Sequence, residues 1–214
     1  MIEFIQCNIS NTEYLNAALD IYTNSFPSNE RHSIELITER IKNCKSILYI
    51  GLKNNQVICF ALIYKLFNSD FVLLDYFAVD QNNRNEGIGT KFYNYLLNET
   101  RKLEKFLILE VEKPANIFDT VKNKRVEFYL KNETYIIKDT PYILPALDST
   151  TNTEMILMIG EGKKCKILTE IKIKDLIKQI YLELYHRDEN NILLLSFIDF
   201  VPKSIKLTKN INYD

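Results

Sequence analysis

The segment with the clearest chemical potential is a short loop that contains an arginine and two glycines. It runs Arg84-Asn85-Glu86-Gly87-Ile88-Gly89-Thr90, between an apolar stretch that ends at Val79 and an amphipathic stretch from Ile88 to Leu103. Glycine lets the backbone turn tightly and approach a ligand closely. The free N–H groups and positive dipole at the start of a helix favour an anion, and an arginine adds hydrogen bonds to the same oxygens. The loop therefore predicts a phosphate or pyrophosphate site.

Two common phosphate-binding motifs do not fit this loop. A Walker A sequence requires G-x-x-x-x-G-K-[ST], which the order Gly87-Ile88-Gly89-Thr90-Lys91 does not provide. A dinucleotide fingerprint requires a third glycine where Phe92 stands. The pattern that remains is Arg-x-x-Gly-x-Gly after an apolar strand.

This pattern and its surroundings resemble a known family. The run from Leu73 to Leu97 is similar to the acetyl-CoA-binding motif of the GNAT superfamily of N-acetyltransferases. A strand, Leu107–Glu112, and a helical piece, Arg125–Asn132 with Phe128-Tyr129, follow in the family's order. The resemblance covers about residues 1–160.

The sequence departs from the family's pattern at several positions. Asn85 stands where glycine is frequent and Asn83 where an aromatic residue is common, but the anion site requires neither side chain. Glu86 replaces a frequent basic or amide residue and weakens the attraction for pyrophosphate unless it points to solvent. Glu133-Thr134-Tyr135 replaces the Gly-Phe that usually ends the tyrosine helix.

The resemblance implies acetyl-CoA as the co-substrate and no metal. In the family, the strand before the glycine loop pairs with the pantetheine arm and the loop holds the diphosphate. The cofactor-binding residues that the resemblance implies are Phe77, Ala78, Val79, Arg84, Asn85, Glu86, Gly87, Ile88, Gly89 and Thr90.

Acetyl transfer to an amine requires a base, because an alkyl amine with a pKa near ~10 is protonated at neutral pH. The candidates are Glu110, then Glu112, then Asp75. Strand alternation places Glu110 and Glu112 on one side at the ligand end, and Asp75 on the same side of its strand as Phe77. Any of these carboxylates can instead pair with a lysine or arginine.

Tyr129 matches the position of the tyrosine that in many family members protonates the leaving sulfur. A phenol is a competent donor to a thiolate and stays protonated at neutral pH. The alternative is a core aromatic residue beside Phe128.

The function that the resemblance implies is an acetyl-CoA-dependent N-acetyltransferase, which moves the acetyl group to a primary amine by direct attack. The acceptor is a small molecule, a peptide or a protein. We expect residues 26–32 and the hairpin 142–153 to form its side of the site, but Glu30 and Arg31 indicate opposite substrate charges. The alternatives are a non-catalytic acyl-CoA sensor or scaffold, and a structural protein in which the glycine loop is only a turn.

Composition excludes several other classes of protein. The 214 residues are 46% hydrophobic and 26% charged, which is typical of a globular domain. Lys+Arg 27 against Asp+Glu 28 gives a net charge of −1, which disfavours nucleic acid and anionic membranes as partners. Without a signal peptide or a spanning segment, the predicted location is cytoplasmic. The cysteines are predicted to be buried free thiols: Cys7, Cys44, Cys59 and Cys165.

The predicted fold class is α/β (α+β), with a GNAT-like mixed sheet that is antiparallel at its edges. A central parallel strand–helix–strand unit is expected over residues 71–112. The predicted strands are 1–9, 46–53, 56–67, 71–79, 106–112, 134–143 and 154–159, and the predicted helices start at 12, 34, 88 and 123. An Ile34, Leu36, Ile37 and Ile41 stripe is expected to be the buried face of the second helix.

The chain is predicted to divide into a GNAT domain, residues 1–160, and an extension, residues 161–214. Glu161–Lys164 forms a polar break between them. The extension is expected to contain a helix over 174–185 and a strand over 192–201. We expect this extension to pack on the domain or to form a homodimer interface.

Overall fold

The structure is a computed structural model that describes residues 1–147, 151–160 and 168–213. Its backbone forms two compact units. The first comprises residues 1–67 and 72–104, and the second comprises residues 68–71 and 105–214. The domain boundary at residue 160 stays a prediction, and the proposed break at Glu161–Lys164 lies outside the described residues.

The first unit combines an antiparallel sheet with three helices. Its strands are β1 Ile2–Gln6, β2 Ser46–Lys53, β3 Gln56–Lys65 and β4 Phe71–Val79, and its helices are α1 Thr12–Ser25, α2 Ile34–Lys42 and α3 Ile88–Lys102. Each strand pairs with the next one in antiparallel orientation. Asn54 and Asn55 join β2 to β3 with φ angles of 52° and 61°, the left-handed geometry that tight hairpins require.

Helices cover both faces of this sheet. Tyr76 packs edge-on against Tyr22 of α1, with ring centroids 4.7 Å apart. The next residue, Phe77, stacks on Phe92 of α3 at 5.6 Å. Because neighbouring strand residues point to opposite faces, α1 and α3 lie on opposite sides of β4.

Side-chain caps set the starts of the first two helices. The Asn11 side chain accepts a hydrogen bond from the Tyr14 amide, and Ser33 accepts one from Leu36. The prediction that Ile34 is buried is wrong, because this first residue of α2 is 39% exposed. Arg40 lies between the buried residues of the stripe instead and is only 4% exposed.

The second unit is also built on an antiparallel sheet. Its strands are β5 Phe106–Glu112, β6 Thr134–Ile137, β7 Ile143–Leu144, β8 Thr153–Gly160 and β9 Leu207–Thr208, and its helices are α4 Thr120–Lys131, α5 Glu170–Glu183 and α6 Ile192–Phe197. The sheet has the order β5-β8-β6-β9, and β7 also pairs with β8. Asp119 caps α4 through the Lys122 amide, so this helix begins three residues before the predicted start at 123.

The prediction of one strand over 134–143 is wrong. Asp139 has a φ of 54°, which interrupts the extended backbone, and Pro141 has no N–H to donate. The Lys138 amide donates to Lys206, and the chain pairs with β8 again at Ile143. The segment therefore forms two short strands, β6 and β7.

The prediction of a strand over 192–201 is also wrong. This stretch forms α6 and a following 3₁₀ turn, and Asn191 caps α6 through the Leu194 amide. Its buried residues are Leu194, Phe197, Ile198 and Val201, which is helical spacing. Strand alternation would not bury Phe197 and Ile198 together.

The cysteines only partly follow the prediction. Cys7 and Cys59 are buried free thiols, whereas Cys44 is exposed just after the end of α2. Cys165 lies outside the described residues. Among the described residues, the helices are too short or too polar to cross a membrane.

We predict that Gly51→Ala destabilises the first unit. Gly51 pairs with Cys59 across β2 and β3, and an added Cβ would overlap the Cys59 Sγ and lie 3.0 Å from the Phe4 ring. We expect the free energy of unfolding to fall by about 1–3 kcal/mol in urea titrations, because overpacking displaces neighbouring side chains. In Gly51→Ala/Cys59→Ala, the loss should be smaller than the sum of the single losses. Additive losses would contradict this interpretation.

Candidate functional site

The predicted glycine loop forms the open start of α3. Gly87 is the N-terminal capping position, with a φ of 72° and no side-chain hydrogen bond to the helix. The first helical hydrogen bond joins the Lys91 amide to the Gly87 carbonyl at 3.2 Å. Helix geometry therefore leaves the preceding amides without acceptors in the helix. A Cβ at Gly87 would meet nothing within 4 Å, so the backbone here is open to a ligand.

Hydrogen bonds within the loop fix its shape before any ligand binds. The Asp80 carboxylate accepts from the Asn82 amide at 3.0 Å and from the Asn83 side chain at 3.2 Å. The Arg84 Nε donates to the Val79 carbonyl at 3.0 Å, which uses only one of the guanidinium's five donors. The exposed arginine thus stays beside the loop with donors left for an anion.

The remaining predicted loop residues divide by exposure. Thr90 and Asn85 are exposed, and Asn85 has a φ of 66°. Ile88 is 1% exposed and anchors the start of α3 in the core. Glu86 forms an ion pair with Lys53 at 3.0 Å, which offsets the negative charge that the sequence places in this loop.

Phe77, Ala78 and Val79 form the end of β4, as predicted. Their backbone pairs with Ala61, Phe60 and Cys59 of β3. Ala78 is 8% exposed, and Phe77 and Val79 are partly exposed. The first unit therefore contains the whole set of residues predicted to bind the cofactor.

Asp75 does not lie where strand alternation predicts. It is the extra residue of a bulge, because Leu62 pairs with Tyr76 and Ile63 with Leu74. Its Oδ2 is 3.6 Å from Arg40 Nη1 of α2, whereas Phe77 packs on α3. The expectation that Asp75 and Phe77 share a side is therefore wrong.

Burial controls the protonation of Asp75. Its side chain is 6% exposed, and its Oδ2 has no hydrogen-bond partner among the described residues. Burial raises the pKa of Asp75 to about 7, and the Arg40 charge only partly opposes this shift. This carboxyl group consequently titrates near neutral pH.

Glu110 of β5 is held by two phenols. The Tyr185 hydroxyl donates to Oε2 at 2.6 Å, and the Tyr142 hydroxyl donates to Oε1. Both tyrosines are buried, at 9% and 2% exposure. Burial, and then the neighbouring Glu110, raise the pKa of Tyr142 well above its usual range, so this donor stays protonated.

Glu112 has different partners from Glu110. Its carboxylate lies 2.8 Å from Arg125 Nη1 and 3.4 Å from Lys122 Nζ, both on α4. This favours the ion-pair interpretation over a catalytic one. The cations that pair with Glu112 are different residues from the two phenols that donate to Glu110.

Tyr129 lies on the buried side of α4. It is 8% exposed, and its ring packs edge-on against Phe128 at 5.1 Å. Burial raises the pKa of Tyr129 to about 12, and Arg125 opposes the shift. The phenol is thus a proton donor throughout the neutral range.

Comparisons with known proteins bear on this geometry. Residues 15–118 match the model of the Acetyltransferase (GNAT) family. This match, over just under half of the chain, identifies a GNAT domain in residues 15–118. No curated protein sequence matched the chain.

Solved structures of acetyltransferases share the fold. A protein described as a GNAT-family acetyltransferase from Bacteroides thetaiotaomicron has a TM-score of 0.70 and 19% identity, over 86% of this chain and 98% of its own. An aminoglycoside 6'-N-acetyltransferase complexed with coenzyme A has a TM-score of 0.57 and 17% identity, over 73% and 95%. A ribosomal-protein-alanine N-acetyltransferase from Brucella melitensis has a TM-score of 0.56 and 15% identity, over 73% and 98%. The predicted GNAT-like α/β fold class is confirmed.

The sequence did not predict the contacts that Glu110 and Asp75 make in the structure. Tyr142 and Tyr185 reach Glu110 from 32 and 75 positions away, which leaves no local signal. Arg40 did leave a signal, because a charged residue in an apolar helical stripe requires a buried partner. Asp75 is that partner.

We predict a specific pH dependence for Asp75→Asn. The pKa of about 7 in the folded state lies above the ~3.9 of an unfolded aspartate, so the folded protein retains a proton between these values. The stability of the unmodified protein relative to Asp75→Asn should therefore fall as the pH rises from 4 to 7, by about 3 kcal/mol. Urea unfolding at several pH values measures this difference. A stability difference between the unmodified protein and Asp75→Asn that stays constant from pH 4 to 7 would contradict the prediction.

Proposed function

We propose that this protein transfers an acetyl group from acetyl-CoA to a primary amine of a small molecule or a protein. The observation that carries the proposal is the open left-handed turn at Gly87, which exposes the first amides of α3 directly after β4. The match of residues 15–118 to the GNAT family supports this function, and a structural neighbour is complexed with coenzyme A.

The residues of the loop fit the diphosphate of coenzyme A. The α3 amides offer donors and a positive dipole end, and the exposed Arg84 adds a charge that can bind bidentately. Glu86 does not oppose this binding strongly because Lys53 neutralises it. The backbone of Phe77–Val79 is the proposed contact for the pantetheine arm.

Acetyl-CoA supplies the thioester, whose C–S bond breaks as the amine nitrogen forms the new C–N bond. Glu110 is the proposed base: it takes a proton from the acceptor's ammonium group, directly or through water, and passes it to solvent. It then takes the second proton that the nitrogen loses as the C–N bond forms. Tyr129 is the proposed acid for the departing thiolate. Its raised pKa keeps the phenol protonated until the thiolate departs, and it recovers its proton from solvent after the transfer. Glu112, held by two cations, and the buried Asp75 are weaker candidates for the base.

The first experiment identifies which cofactor the protein binds, and the second measures whether it acetylates amines. Thermal stability is measured with acetyl-CoA, longer acyl-CoAs, free CoA and NAD, since a ligand of the folded state raises the apparent stability. A panel of primary amines, including peptides with free N-termini, is then scored for acetylated product by mass spectrometry. Thiol reagents are unsuitable because Cys44 is exposed. Binding without turnover would favour the acyl-CoA sensor, and no binding would overturn both.

We predict that replacing each of the two loop glycines with alanine has a different effect on stability and on acetyl-CoA binding. Gly87→Ala places a side chain at a φ of 72°, so the free energy of unfolding should fall by about 1 kcal/mol. Acetyl-CoA should then no longer raise the stability of this variant. Gly89→Ala lies inside α3, where alanine is the better helix former, so the free protein should be at least as stable. Its added methyl group should still weaken acetyl-CoA binding about tenfold or more. Calorimetry and urea unfolding measure the two effects.

The matched control for these variants is Asn94→Ala, an exposed position further along α3. It should leave acetyl-CoA affinity unchanged. Unaltered affinity in Gly89→Ala would contradict the assignment of the loop to the diphosphate.

We predict that Tyr129→Phe lowers kcat by about 10²-fold, the usual contribution of a positioned proton donor. Acetyl-CoA affinity should change little, because the donor acts on the departing sulfur. The control is Tyr213→Phe, which removes a hydroxyl that donates to Asn123 of the same helix at 2.9 Å. Steady-state kinetics on the best amine separates the two variants, and equal kcat values would exclude the acid role.

A further inference from the structure

We propose that Tyr142 and Tyr185 are positioning residues that hold the Glu110 carboxylate for the amine acceptor. The chain beyond residue 168 would then supply part of the acceptor side of the site. This inference rests on the proposed function, in which Glu110 is the base.

The contacts are specific because each phenol takes a different carboxylate oxygen. The Tyr142 hydroxyl donates to Oε1 and the Tyr185 hydroxyl donates to Oε2 at 2.6 Å. Two donors on the two oxygens fix the rotation of the carboxylate plane. A carboxylate has about four acceptor sites, so two phenols do not exhaust its capacity for an ammonium group or a water.

Tyr185 is held by the packing of α5. It lies two residues beyond the last residue of the helix, and the amide of Leu184 donates to Ile180 at 2.9 Å. The buried side of the helix consists of Ile173, Leu176, Ile177, Ile180 and Tyr181, each at most 2% exposed. A side chain fixed by such packing can orient a catalytic group accurately.

Tyr142 is fixed from two directions. Its carbonyl accepts from the Met155 amide of β8 at 2.9 Å. Its ring packs edge-on against Tyr181 at 6.1 Å and Phe197 at 6.0 Å. An aromatic cluster therefore lies beside Glu110. It consists of Tyr142, Tyr181 of α5 and Phe197 of α6.

Hydrogen bonds to a carboxylate stabilise its charged form. The Tyr142 phenol keeps its proton at all working pH values, because burial and Glu110 raise its pKa well above the usual range. Loss of either donor should therefore make Glu110 easier to protonate. If the tyrosines only stabilise the fold, their loss should leave the pH dependence of amine acetylation unchanged.

The experiment compares Tyr142→Phe and Tyr185→Phe with the matched control Tyr181→Phe. Tyr181 lies on the same helix as the residues that place Tyr185, and burial and then Glu110 raise its pKa, but its hydroxyl donates to the Ile143 backbone. Glu110 is titrated by NMR in the full chain with ¹³C-labelled glutamate, and Glu110→Gln identifies its resonance. We expect the midpoint to rise by about one pH unit in each of the two variants and to stay in place in Tyr181→Phe.

The kinetic measurement uses acetyl-CoA and the best primary amine of the panel. The acidic limb of the kcat/KM profile should move to higher pH by the same amount, with kcat about tenfold lower. Chemical-shift maps of the backbone amides verify that each variant is folded.

The possible outcomes separate the two proposals. Unmoved midpoints, or an equal shift in Tyr181→Phe, would overturn the positioning role. Shifted midpoints with an unchanged pH–rate profile would make the tyrosines structural partners only and would also overturn it. If the unmodified protein neither binds acetyl-CoA nor acetylates any amine, the proposed function fails, and the positioning role for an acceptor fails with it, whatever the midpoints show.

Discussion

The candidate site depends on one backbone conformation, the left-handed turn at Gly87. This turn ends the loop after β4 and begins α3, so it decides where the first free amides of the helix lie. The loop is fixed by the Asp80 cap, the Arg84 contact with Val79 and the buried Ile88. No side chain caps the helix at this point, and the donors that a cap would satisfy are available to an anion. The chemistry of the loop therefore comes from its backbone more than from its side chains.

Each unit holds a strand carboxyl group in a different environment: Asp75 is buried, whereas Glu110 is partly exposed. Asp75 faces a guanidinium at 3.6 Å and has no hydrogen bond to its Oδ2 among the described residues, so burial dominates and its pKa rises to about 7. Glu110 receives a phenol on each oxygen. The first arrangement leaves the charge sensitive to pH, whereas the second orients a carboxylate. This contrast, more than position on a strand, ranks Glu110 above Asp75 as a candidate base.

Local signals in the sequence predicted much of the fold. The Asn54-Asn55 turn, the Ser33 cap and the bounds of β4 and β5 follow from residue types and spacing within a few positions. Alternation failed at Asp75, because a bulge inserts one residue and no nearby glycine or proline marks it. The apolar run 192–201 fits both the helical and the strand period, so its sequence does not distinguish the two. The structure shows a helix, in which the neighbours Phe197 and Ile198 are both buried.

The parts of the site that no local pattern could predict are those beyond the family match. The match ends at residue 118, whereas Tyr142 and Tyr185 both follow it. The matched residues contain the glycine loop, and the partners of Glu110 come from the region that the family model does not cover. Among the described residues of that region, β9 pairs with β6 and α5 has a fully buried side. In the proposed function, the residues that orient the base Glu110 therefore lie outside the segment that matches the family model.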